Sequence, residues 1–347
     1  MRGRLYGERE IKATPIRRGT PTVLRTRYRL LERLGSGGTA DVYRACDERL
    51  KRDVAVKVIA GWLAEDPATV RRFRREAELD TRLLNAARAA CVALPAVGLP
   101  LFLGRLRSRG WALVAPLSIV VVAGALAVWS GGAQALAWTA LLLVPPGCAL
   151  ALGWAAHGAR PWLALLAVPL LGTALAGPDA LAGQIARIVL VAGACVTACR
   201  LLAGSAPLPL LKAGVVAMAV VDATFLLGHL SDHQNAEFAG AVAAPGLPQL
   251  QITQLGGASC DFGDFFAAAL VGAILARGRR AQLLAAAATF LVTQAFDQLF
   301  LVVDSLPATV PPAVVMLVLE ARRSTVAPHA ATGSGAGRVG GSSPAAR

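Results

Sequence analysis

The stretch Leu34-Gly35-Ser36-Gly37-Gly38-Thr39-Ala40-Asp41-Val42-Tyr43-Arg44-Ala45 decides how the amino-terminal part is read, together with Val54-Ala55-Val56-Lys57 and Arg74-Arg75-Glu76-Ala77. Residues 28–34 alternate as a strand and run into a glycine turn, where a backbone without Cβ atoms bends sharply and approaches a ligand closely. Residues 41–46 return as a second strand and 53–59 make a third. Asp66-Pro67 opens a helix, with proline at its first turn, expected to run to about Leu84. The expectation for residues 28–84 is a three-stranded sheet with one packed helix. Lys57 on a strand and Glu76 on the helix would then pair. A basic leader with Pro15 and Pro21 precedes this unit over residues 1–27.

Outward from this unit the composition changes abruptly. Residues 1–88 hold 21 of the 35 Lys and Arg and 12 of the 21 Asp and Glu. Residues 89–347 are rich in Leu, Ala, Val and Gly, with apolar runs of membrane-crossing length. The formal net charge of +14 has no helix-turn-helix, zinc-finger or RNA-binding pattern beside it, so nucleic acid is not an expected partner. Basic residues flanking apolar runs instead fit the cytoplasmic face of a lipid bilayer. The six cysteines form no CxxC pair and no cluster with the four histidines, which argues against a disulfide framework or a zinc site. The charged amino terminus lacks the apolar core of a cleavable signal peptide. Residues 324–347 read as a disordered Gly/Ser/Ala/Pro tail.

Nine apolar segments lie near 89–104, 111–130, 134–156, 161–177, 180–203, 208–230, 262–276, 281–303 and 305–319. The first is short and contains two prolines. If it does not span, the loop arginines at 105, 107, 109, 160, 277, 279, 280, 322 and 323 all fall on the side of the basic amino-terminal unit. The expected topology is therefore eight spans, or nine if the first crosses. Both termini would lie in the cytoplasm, and the loop 231–261 outside. Acids inside such segments are costly and mark function; here they are Asp222, Asp264, Asp297 and Asp304.

The glycine loop, Val42, Ala55-Val56-Lys57 and Glu76, in this order, resemble the small lobe of the eukaryotic-like Ser/Thr protein kinases of bacteria, over roughly residues 26–85. Ala40 stands where the family pattern has its third glycine. The resemblance implies an ATP site in which Gly35, Gly37 and Gly38 pass over the phosphates and Val42 and Ala55 enclose the adenine. Lys57, held by Glu76, would meet the phosphates, and Mg2+ would accompany the nucleotide. After Asn85 the pattern stops: no His-Arg-Asp loop and no Ala-Pro-Glu follow. Asp261-Phe262-Gly263 spells the magnesium-binding triplet, but without a catalytic loop it reads as coincidence. Phosphoryl transfer by this chain alone is not expected, and nucleotide binding is expected to be weak.

Asp222 and Asp264 lie in successive apolar segments, 42 residues apart. Two carboxylates facing one water-lined cavity can divide the work of base and acid. At Val221-Asp222, Phe262-Gly263-Asp264 and Leu306-Pro307-Ala308 the chain resembles the presenilin and signal-peptide-peptidase class of intramembrane aspartyl proteases, over about residues 205–320. It departs from that class at Val221 (tyrosine in the class), Asp261 (glycine) and Thr309 (leucine). The resemblance implies Asp222 and Asp264 as a catalytic dyad. The bland alternative is a polytopic membrane protein whose few acids cap helices or pair with arginines such as Arg187.

The fold expected is thus mixed: a truncated α+β kinase-type small lobe over 28–88, then an all-α polytopic membrane domain over 89–323. Three functions compete. One is a membrane-anchored kinase-like protein of the cell membrane, with a cytoplasmic lobe that binds nucleotide, a kinase or a regulatory partner. The others are an intramembrane protease with a vestigial lobe, and a non-enzymatic membrane protein.

Overall fold

Strand alternation and the glycine turn give an antiparallel meander in the computed structural model of the chain. The structure describes residues 23–24, 28–36, 40–48, 52–59, 67–98, 107–177, 180–227, 238, 240–256, 258–301 and 307–331. Strands β1 (Val23–Leu24), β2 (Tyr28–Ser36), β3 (Ala40–Asp47) and β4 (Arg52–Ile59) lie in the order β1-β2-β3-β4. The fourth strand, beyond the three expected, is the short β1, which pairs Val23 with Arg29 and Leu24 with Tyr28. Leu30 and its cross-strand partner Ala45 are both buried, so the alternating pattern seats apolar residues on one face.

Helix α1 (Pro67–Ala93) has 27 residues and passes unbroken through the composition boundary at residue 88. The sequence placed its end near Leu84. Ala86, Ala87, Ala89 and Ala90 propagate helix well, and Leu84, Cys91 and Val92 repeat at helical spacing and are buried. The second half of α1 therefore belongs to the core of the helical domain. Residues 89–93, expected to begin the first apolar segment, are its last turn. Residues 94–98 then leave the helix with their backbone well partnered. Ala96 N–H donates to the Ala155 carbonyl at 2.9 Å and His157 N–H to Leu94 at 2.8 Å. Arg200 donates to the carbonyls of Val97 and Gly98, both at 3.0 Å, and Gln282 Nε2 to that of Pro95 at 2.8 Å. Irregular backbone at such depth persists only when satisfied in this way.

The remaining helices are α2 (Val114–Val128), α3 (Gly132–Leu150), α4 (Ala167–Ala176), α5 (Leu181–Ser205), α6 (Leu208–Leu227), α7 (Phe262–Leu275), α8 (Arg279–Asp297) and α9 (Val310–Ala331). A hairpin of β5 (Ile252–Leu255) and β6 (Ala258–Asp261) leads directly into α7. Among the described residues, four helices are long and apolar enough to cross a membrane: Arg109–Val128, Gly132–Ala155, Leu181–Ser205 and Leu208–Phe225. Two of the segments counted in the sequence, Pro161–Ala176 and Phe262–Leu275, form shorter apolar helices. Leu142, Leu143, Val121, Leu165 and Leu291 stand exposed on the outer helices, an apolar surface of the kind that lipid covers.

Helix α7 is the hub. Phe265 through Leu275 are all buried, packed against α1, α5, α6, α8 and α9. Small residues let the backbones approach. A Cβ at Gly272 would lie 2.2 Å from the Val92 carbonyl oxygen of α1, and one at Gly193 would lie 2.8 Å from Cys148 Sγ. Lys212 of α6 and Glu320 of α9 neutralise one another at 2.8 Å.

Candidate carboxylate site

The nucleotide-site positions of the amino-terminal sheet are placed by their backbone register. Gly35 is the cross-strand partner of Val42, Val42 of Lys57, and Arg44 of Ala55. The strands thus bring Gly35, Val42 and Lys57 into one row across the sheet, with Ala55 two residues from Lys57 on the same strand. Gly37 and Gly38 lie outside the described residues. Glu76 lies on α1, and the meeting of the Lys57 and Glu76 side chains falls outside what the structure describes.

Two acids of the helical domain share one cavity. Asp222 from the second half of α6 and Asp264 from the first turn of α7 line one cavity of about 830 Å³. Its apolar wall includes Ile119, Leu126, Leu143 and Val144, and its polar end includes Asn85, Arg88 and Asp297. Asp304 lies outside the described residues.

Local chemistry explains the departures from the expected motifs. Asp261, standing for a glycine, is the N-cap of α7. Its Oδ1 accepts from Asp264 N–H at 2.9 Å, while its own N–H donates to Asp264 Oδ2 at 3.2 Å. This reciprocal box satisfies two backbone donors at the start of the helix. Asp261 therefore has a structural task, which supports reading the Asp261-Phe262-Gly263 triplet as unrelated to magnesium. Its side chain opens onto the cavity. It is exposed within that cavity; the protein crowded around it and the neighbouring Asp264 carboxylate raise its pKa above the usual carboxyl value. Thr309, standing for a leucine, donates from Oγ1 to Asp222 Oδ2 at 2.6 Å.

The cation at this site is Arg88: Asp264 helps cap α7 and pairs with an arginine, as the bland alternative expects, though with Arg88 rather than Arg187. Arg88 Nη2 donates to Asp264 Oδ2 at 3.0 Å, with both side chains largely buried. Arg88 Nε lies 3.0 Å from Cys260 Sγ, which in turn lies 3.1 Å from Asp264 Oδ2. Asn85 donates to Asp297 Oδ2 at 2.6 Å and also to Gln294. Arg88, Asn85 and Thr309 were not picked from the sequence. The signal for Thr309 was present as a polar residue where the motif is apolar; Arg88 and Asn85 carried none, because their partners lie far along the chain.

Comparison with known proteins bears on the amino-terminal segment. It is 56% identical over 59 residues to the serine/threonine-protein kinase PknB of Mycobacterium tuberculosis, a match covering 17% of this chain and 9% of that protein. A probable serine/threonine-protein kinase of Clostridium acetobutylicum is 49% identical over 65 residues, covering 19% of this chain and 10% of the relative. One from Streptomyces coelicolor is 49% identical over 67 residues, with the same two shares. The amino-terminal segment is kinase-like. The matched part amounts to about a tenth of these kinases. No family model matches the chain, and no solved structure matches it.

Proposed function

We propose that this is a membrane-anchored, Ser/Thr-kinase-like protein whose own chemistry resides in its helical domain, as an intramembrane hydrolase working through Asp222 and Asp264. The observation that carries this reading is that both carboxylates line one cavity inside an apolar bundle. Each has one oxygen anchored, Asp222 Oδ2 by Thr309 and Asp264 Oδ2 by Arg88. Among the described residues, the hydrogen bonds to the Asp264 carboxylate all fall on Oδ2, which leaves its Oδ1 to face a water or a substrate carbonyl. In an acid-pair mechanism one carboxylate takes a proton from water as the water oxygen bonds to the amide carbon. The other carboxyl gives its proton to the carbonyl oxygen. The C–N bond then breaks, and the departing nitrogen takes up a proton.

The kinase-like lobe would hold ATP with Mg2+ through Gly35, Gly37, Gly38, Val42, Ala55, Lys57 and Glu76. Phosphoryl transfer needs a catalytic aspartate and metal ligands as well, and no His-Arg-Asp loop occurs in this chain. The lobe is read as a binding element for nucleotide or for a regulatory partner, on the cytoplasmic face of the cell membrane. The one-sided arginines support eight spans with both termini inside. Cleavage of an apolar helical reporter peptide by the purified full chain in lipid nanodiscs tests the hydrolase reading. Wild type should cleave it and Asp222→Asn should not; equal cleavage by both would refute it.

A further inference from the structure

Resting on that reading, we propose that Arg88 is the positioning residue of the carboxylate pair. Three donors converge on Asp264 Oδ2: Arg88 Nη2 at 3.0 Å, Cys260 Sγ at 3.1 Å and the Asp261 N–H at 3.2 Å. No hydrogen bond to Oδ1 is present among the described residues, so this convergence fixes the rotation of the carboxylate and leaves Oδ1 as its working oxygen. Arg88 is itself held, by the Cys260 contact through Nε and by Asn85 Oδ1 at 3.4 Å through Nη1. Asn85 is tied in turn to Asp297 and Gln294 of α8.

Helix geometry places this grip beside a helix crossing. Arg88 and Val92 are one turn apart on the same face of α1, and Val92 is the residue whose backbone abuts Gly272 of α7. Asp264 and Gln282, the latter bridging the Pro95 and Gly272 carbonyls, bracket the same crossing.

The test uses the full chain in nanodiscs and a photoreactive, hydroxyl-bearing peptidomimetic that imitates the tetrahedral intermediate of amide hydrolysis. Arg88→Gln should lower photolabelling about tenfold, as loss of an orienting partner does elsewhere, while Arg88→Lys keeps most of it. A melting-temperature cycle should show Arg88→Gln with Asp264→Asn no less stable than the worse single variant. Undiminished labelling in Arg88→Gln, or additive losses in the cycle, would overturn the positioning role. If Asp222→Asn labels as wild type does, the hydrolase reading itself falls; if labelling needs Asp222 but not Arg88, only the present inference falls.

Discussion

Arg88 and Asp264, 176 residues apart in the chain, meet at 3.0 Å between α1 and α7. Both sides of this pair are mostly withdrawn from water, so removing either partner leaves the other charge without compensation. The pair joins the helix that begins in the kinase-like segment to the helix at the centre of the helical domain. It gives the two parts of the chain a shared polar centre.

The crossing that holds this pair should be intolerant of volume. Gly272→Ala puts a methyl group against the Val92 carbonyl, a backbone atom that cannot swing aside, and should cost about 1–3 kcal/mol. Gly124→Ala, where nothing lies within 4 Å, should stabilise helix α2 by up to about 1 kcal/mol. Thermal unfolding of the two variants in detergent compares them directly. Equal melting temperatures would contradict the close approach of α1 and α7.

Asp261 should impose a pH dependence on stability. Its pKa is raised above the usual carboxyl value near 4, so the folded protein keeps a proton that the unfolded chain has lost. The stability this lends is full below about pH 4 and is lost as pH rises through the raised folded value. Asp261→Asn preserves the helix cap and should flatten the melting temperature against pH over that window. An unchanged slope would count against the assignment.

How much of this was legible in the sequence depends on the range of the interaction. The strands were readable because alternation acts over neighbouring residues. The end of α1 was not: alanines at 86–90 suit a soluble helix and an apolar segment equally, and only packing of Cys91 and Val92 against α7 decides between them. Helix α7, at 14 residues, reads in sequence as a span because it is apolar beyond Asp264, while the burial of Phe265 to Leu275 shows that the same residues also form the core of the bundle. Asp222 and Asp264 stood out because acids in apolar runs are rare. Arg88 looked like a residue at a domain boundary.

No magnesium-dependent phosphate transfer is expected from the purified chain with general protein substrates, and Lys57→Met should leave that result unchanged. The measurement is incorporation of labelled phosphate. Transfer that survives repurification and disappears in Lys57→Met would contradict the assignment of the lobe as a binding element.

Topology follows from the arginine distribution. Val242 is exposed in the loop that the account places outside. In a background whose native cysteines are replaced, Val242→Cys should react with a membrane-impermeant maleimide in intact cells. Labelling only after permeabilisation would reverse the orientation.

The central claim is that Asp222 and Asp264 act together in one cavity, and the most direct measurement is peptide-bond cleavage by the two single variants. Wild type, Asp222→Asn and Asp264→Asn would each be purified, shown to share one melting profile, and given an apolar helical reporter in nanodiscs, with products read by mass spectrometry. The account predicts cleavage by wild type and at least a hundredfold loss, on the order expected when a general acid or base is removed, in each variant. Cleavage that persists in either variant, or a wild type that never cleaves, would contradict it.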